Sequence, residues 1–158
     1  MVTDRKERLD LSVLNENVRR DPEKAVAYWE KHYRDQVEAV AEDFVSHMGE
    51  SRVLLLAGPS SSGKTTTSLN LIESLHRRGI RTIPVSLDDF FLGPGAAPLL
   101  EDGTRDLESV ELLDAELLDR CFRELFETGR CDFPIFDFEK GSRSEKVNHF
   151  AVDDRTAV

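Results

Sequence analysis

The sequence predicts an α/β fold, a parallel sheet with helices on both faces, preceded by a long amphipathic helix; three observations carry that expectation. The apolar run Val53-Leu54-Leu55-Leu56-Ala57 reads as a strand covered on both sides. It leads directly into Gly58-Pro59-Ser60-Ser61-Ser62-Gly63-Lys64-Thr65-Thr66, a glycine-bounded loop that opens a helix-like segment. A second extended stretch, 80–86, follows that helix. The order strand, helix, strand calls for a right-handed parallel crossover.

The loop has the spacing G-x-x-x-x-G-K-T, and each fixed position has a mechanical reason. Glycines at Gly58 and Gly63 let the backbone curl so that successive N–H groups, through Ser60, Ser61 and Ser62, face an anion. Lys64 supplies a point charge for the outer phosphates of a nucleoside triphosphate. Thr65 supplies a hydroxyl for its magnesium ion, and Thr66 completes the helix start. The positive end of the helix that begins near Lys64 acts on the same anion. Strand, loop and helix together specify a fold of the P-loop NTPase type.

Composition limits the partners. A chain of 158 residues with net charge −10 has the size of one domain and offers no general surface for a polyanion, so nucleic acid is excluded as a partner and any nucleotide is held by a local site. Cys121 and Cys131 lack metal-ligand spacing and read as reduced packing residues, which suits the cytoplasm. Met1 to Asp10 is charged throughout, without a signal-peptide pattern, and no apolar run nears the ~20 residues that span a bilayer, so no membrane partner is expected.

Residues 1–50 form an N-terminal arm and helix, and 51–158 the phosphate-loop core. Residues 1–20 are polar and charged, compatible with a frayed helix or a loose arm. Asp21-Pro22 starts a helix, with Asp as the cap and Pro in the first turn. Trp29, Tyr33, Val37, Val40, Phe44 and Met48 then recur on one helical face, and Gly49 stops it. The face must pack on something, and self-association through 22–48 is one way to cover it. After the loop, Leu69, Ile72, Leu75 and His76 are expected to point inward.

The second strand ends in Ser86-Leu87-Asp88-Asp89-Phe90-Phe91. Ligands of open parallel sheets lie beyond the carboxyl ends of the strands, which places these acids on the loop's side of the sheet. Asp88 could accept the proton of an attacking hydroxyl or hold magnesium through water; the bland alternative is that Asp88 or Asp89 caps a turn. Residues 93–103 read as a mobile surface loop. A helix with Leu118, Cys121, Phe122, Leu125 and Phe126 on one face is capped at Asp114 or slightly earlier and stopped at Gly129. Residues 131–138 form an extended aromatic segment leaving the sheet at Pro134, whose phenylalanines are core or the wall of a pocket for a flat ring. From Glu139 the chain is polar until Thr156-Ala157-Val158, where an apolar strand begins; a sheet of so few strands reads as incomplete, the chain as C-terminally cut.

Taken together, G-P-S-S-S-G-K-T-T-T-S at 58–68, S-L-D-D-F-F at 86–91, the Asp106 to Asp114 region and F-P-I-F-D-F with Arg143 resemble the uridine kinase and phosphoribulokinase group of P-loop kinases, in particular a bacterial uridine kinase-like branch. The resemblance runs from about Arg52 to Arg143. It implies ATP-dependent phosphorylation, with Mg2+, of a hydroxyl on a small molecule such as a nucleoside. It implies Asp88 as the base, Lys64 on the phosphates, and Thr65 and Asp88 at the metal. It implies Phe91, Asp106, Phe136 and Arg143 on the acceptor side. The group's usual glutamine, tyrosine and histidine fall at Leu87, Phe136 and Gly141, which removes readers of a pyrimidine base. A pantothenate kinase-like or phosphoribulokinase-like acceptor, and a nucleotide-binding module without catalysis, are the alternatives.

Overall fold

The computed structural model describes residues 10–158. They divide into two compact units, 10–48 with Ala57–Ser74 and Gly49–Leu56 with Leu75–Val158. The phosphate-loop segment therefore groups with the N-terminal helices, across the boundary expected at residue 50. Of the expected N-terminal arm, residues 1–9 lie outside the described residues.

In the first unit, helix α1 (Leu11–Arg20) starts on Asp10, whose carboxylate accepts from the amides of Ser12 and Val13. Helix α2 (Pro22–His47) starts on Asp21, which accepts from Lys24 N at 3.0 Å, with proline in the first turn. Val37 is buried on α2 as expected, but the stripe continues through the fully buried Ala41, and Val40 is 47% exposed. Helix α3 (Lys64–Arg77) follows the loop. The Tyr33 hydroxyl of α2 donates to Thr67 Oγ1 at 3.0 Å and accepts from Asn70 Nδ2 at 3.1 Å. The buried face of α3 is Leu71, Ser74 and Leu75. Leu69 and His76, expected inward, are exposed. The periodicity of α3 is helical as read; its phase is shifted because a small polar residue, Ser74, takes a core position.

In the second unit, strand β1 (Arg81–Thr82) pairs in parallel with strand β4 (Thr156–Ala157). On the other side of β4, Val158 N donates to Arg52 O and Val158 O accepts from Leu54 N, each at 2.9 Å, which is the parallel pattern. The C-terminal segment thus lies between 52–54 and 81–83. The run 53–57 is not the covered strand expected: Leu55 is 82% and Leu56 40% exposed, and no strand among the described residues pairs beyond Leu54. Arg81 closes this layer, donating to Thr156 Oγ1 from Nε at 3.2 Å and from Nη2 at 2.9 Å, so the buried threonine hydroxyl is satisfied.

The rest of this unit is helix α4 (Ala115–Thr128) on an antiparallel hairpin of β2 (Arg130–Asp137) and β3 (Ser142–Ala151). Helix α4 begins on Asp114 and ends at Gly129, whose φ of 80° is the left-handed conformation glycine adopts without strain. Pro134 does not end the ladder. It pairs with Val147, the register slips between Pro134 and Phe136, and pairing resumes at Phe136 opposite Arg143. Between these two pairs β2 runs through one residue, 135, and β3 through three, 144–146, so the extra residues lie in β3, opposite the proline that has no donor to give.

Phe90, Cys121, Leu125, Cys131 and Phe133 form the core of this unit, with Phe122 and Phe150 packed against it. Phe133 sits edge-to-face with Phe90 at 5.6 Å and with Phe150 at 5.1 Å. Burial raises both thiols, Cys131 to about 12, as expected of packing residues without a thiolate at neutral pH. Truncating Phe133 to alanine should cost about 3–5 kcal/mol. Phe138→Ala, at a position 67% exposed, should stay within about 0.5 kcal/mol. Urea unfolding of the two variants checks the assignment, and equal losses would contradict it.

Candidate functional site

In the first unit, the loop 58–63 and the first turn of α3 make a candidate anion site. Ser61 and Gly63 both have positive φ, 59° and 85°, and Ser62 N donates to Pro59 O at 3.2 Å. These left-handed residues turn the chain inward; Ser61 is the one described non-glycine residue that does so, a strained conformation of the sort concentrated at ligand clamps. A Cβ at Gly58 would lie 2.7 Å from Ser62 Oγ, so that position is kept without a side chain. Lys64 Nζ donates to the carbonyls of Gly58 at 2.7 Å and Pro59 at 2.8 Å. An ammonium has three donors, so one remains for an anion.

The first backbone bond at the start of α3 runs from Thr67 N to Gly63 O at 2.9 Å. Among the described residues no carbonyl accepts from the amides of Lys64, Thr65 or Thr66, the usual condition of a helix N-terminus. Ser60, Ser61, Ser62, Thr65 and Thr66 are exposed. Exposed amides, an ammonium and the helix dipole make this an anion cradle by its own chemistry.

The second unit has a group of candidate residues of its own, on the single-turn helix Leu87–Phe90 that follows β1. Its two carboxylates have different fates. Asp89 Oδ1 accepts from Phe136 N at 3.0 Å. That amide lies in β2 next to the register slip, in the pair with Arg143, and Asp89 supplies it with a side-chain acceptor. Asp88 is exposed, and among the described residues no hydrogen bond or ion pair engages its carboxylate. The turn-capping alternative thus describes Asp89 in a modified form, a tether to the neighbouring strand, and leaves Asp88 free.

Around the turn stand Phe91 and Phe136, edge-to-face at 6.1 Å, with Phe138 beyond Phe136 at 5.0 Å. Phe136 is buried and Phe91 half-buried, while Phe133 is core. Arg143 Nη2 donates to Asp114 Oδ2 at 2.8 Å and to Phe90 O at 3.2 Å, while its Nε is buried without a partner. Asp114 Oδ1 accepts from Leu117 N, and these two bonds hold its carboxyl below the usual range. Asp106 stands apart from this cluster in its bonding: Oδ1 accepts from Glu108 N at 3.1 Å, a turn within its own loop.

Asp114 was legible as a helix cap, but nothing in the chain announced its pair with Arg143, 29 residues away. A groove of about 760 Å³ on α4, β2 and β3, lined by Leu117, Cys121, Cys131 and Phe150 among others, includes none of Asp88, Phe91, Asp106, Phe136 and Arg143. Among the described residues no group of three or more His, Cys, Asp or Glu could hold a metal ion. No helix among them is long and apolar enough to cross a membrane.

No protein-family model and no curated protein sequence matches the chain. A solved structure does. The chain is similar to a possible uridine kinase from Bacillus stearothermophilus, with 21% identity and a TM-score of 0.55, over 78% of this chain and 68% of the other. At that identity the likeness establishes a shared α/β fold.

Two outcomes follow from the split roles of the acids. Asp89→Ala leaves the Phe136 amide without its acceptor and should cost about 1–3 kcal/mol, whereas Asp88→Ala should fall within about 0.5 kcal/mol. Urea unfolding would show the difference, and a larger loss for Asp88→Ala would reverse the assignment. Because the Asp114 pKa is lowered on folding, its stabilisation is complete above the ordinary carboxylate value and is lost as pH falls through the lowered one. Melting curves below about pH 4 should therefore converge for wild type and Asp114→Asn.

Proposed function

We propose that the chain transfers the terminal phosphoryl group of ATP to a hydroxyl of a nucleoside or a similar small metabolite. The observation that carries this reading is the free Asp88 carboxylate next to a committed Asp89, in a chain that also has an anion cradle at the start of α3. The fold shared with a possible uridine kinase supports the same class.

The backbone amides at Gly63 to Thr66 hold the phosphate oxygens, and Lys64 places its remaining N–H on them. Asp88 takes the proton of the acceptor hydroxyl as its oxygen bonds to the terminal phosphorus, the bond to the bridging oxygen breaks, and ADP leaves. The residues fit Mg2+, since magnesium is held mostly by phosphate oxygens and water; the exposed Thr65 hydroxyl and a carboxylate, Asp88, suffice on the protein side. When bound, the ion would neutralise charge on the phosphates. Phe91 and Phe136 offer an apolar wall to the acceptor and Asp106 its second carboxylate oxygen. Loss of the tyrosine hydroxyl at Phe136 and of an imidazole at Gly141 favours an acceptor read by shape over one read by its base edge.

Radiolabelled ATP with a panel of hydroxyl acceptors, nucleosides included, tests the proposal. Lys64→Ala should abolish transfer and weaken ATP binding. Asp88→Asn should leave ATP binding intact and lower turnover by about 10²–10⁴-fold. Near-normal turnover in Asp88→Asn would remove the assigned base, and ATP binding without transfer to any hydroxyl would leave only a nucleotide-binding module.

A further inference from the structure

We propose that Asp114 and Arg143 are positioning residues for the turn that presents Asp88, a role that rests on the phosphotransferase reading. Three segments of the second unit meet at one atom, the carbonyl oxygen of Phe90. It accepts from Asp114 N at 2.9 Å and from Arg143 Nη2 at 3.2 Å. The other proton of Nη2 goes to Asp114 Oδ2 at 2.8 Å, and Asp114 Oδ1 caps α4 through Leu117 N at 2.9 Å. The start of α4, the start of β3 and the turn are thereby joined through one guanidinium nitrogen and one carboxylate.

The turn needs such an outside hold. Its own bonds, Asp89 N to Ser86 O and Phe91 N to Asp88 O, are both 3.2 Å, at the long end of the normal range. Phe90 is anchored by its buried ring, and its carbonyl fixes the peptide plane that leads into Phe91. With Asp89 tied to Phe136 N, the turn is held on both sides and Asp88 is its one unattached acid.

The chemistry of the pair points to geometry over stability. Both side chains are mostly buried, 32% and 22% exposed, and Arg143 Nε is left without a partner or solvent. A half-buried ion pair with an unsatisfied donor gains little stability, and such pairs are kept where they fix one arrangement. A planar guanidinium can serve a carboxylate and a carbonyl from one nitrogen; a lysine ammonium holds neither direction firmly.

Three variants and two readouts test this against the alternative that Arg143 grips the acceptor. Asp114→Asn keeps a capping oxygen, so α4 should still form; Arg143→Lys keeps the charge, and Arg143→Met removes it. Positioning predicts that all three lower kcat by about tenfold or more, with KM for ATP unchanged and the Asp114→Asn/Arg143→Met double variant no worse than either single one. Hydrogen exchange at the Asp89 and Phe91 amides should quicken in each, while the amides within α3 stay as in wild type. If Arg143 instead grips the acceptor, Asp114→Asn frees it: the acceptor KM falls or holds, only the Arg143 variants lose activity, and the positioning role is overturned. Unchanged exchange in Asp114→Asn overturns it as well, with or without turnover. A wild type inactive on every acceptor sinks the phosphotransferase reading itself, and the exchange data then decide alone whether the pair holds the turn.

Discussion

A backbone N–H must find an acceptor, and two places where a donor turns to something other than a backbone carbonyl organise this protein. At the start of α3 the amides of Lys64, Thr65 and Thr66 have no carbonyl to bond and stand at the surface, where an anion can reach them. Beside the register slip of the β2–β3 hairpin the part-buried amide of Phe136 takes the carboxylate of Asp89. The first deficit leaves donors of the kind that bind anions. The second selects which of two adjacent acids is structural and which is free for chemistry.

The second depends on how the chain is packed beneath it. Phe90 and Phe133 are almost fully buried against each other, so the turn bearing the acids and strand β2 share one core. Without that contact Asp89 and the Phe136 amide would have no reason to meet. Charge works in the same local way. A chain of net charge −10 repels nucleotides at long range, so binding must come from short-range donors arranged in advance.

What could be read from the residues was whatever is decided locally. The phosphate loop is a matter of spacing; α4 begins at Asp114 and ends at Gly129 because a carboxylate cap and a left-handed glycine act within one turn. The start of α2 at Asp21-Pro22 was legible for the same reason. Non-local pairing was not. Strand β3, Ser-Arg-Ser-Glu-Lys-Val-Asn-His-Phe-Ala, has a largely exposed, polar pattern, and only its partner β2 makes it a strand. The insertion of the C-terminal segment between 52–54 and 81–83 left no mark in either stretch. In the candidate site, Asp88 and Asp89 were indistinguishable as letters. What separates them is a register slip 47 residues further on, at a proline whose effect on the ladder was expected to be an exit and is a bulge.

The fold and the cradle limit the chemistry to an anion held by main-chain donors, and the account stands or falls on those donors. The most direct measurement is an amide-resolved NMR titration of ¹⁵N-labelled protein with Mg-ATP. The account predicts that the largest shifts fall on Gly63, Lys64, Thr65 and Thr66, with couplings from these amides to phosphorus across the hydrogen bonds. Saturable ATP binding that left those four amides unmoved and shifted residues elsewhere would contradict it.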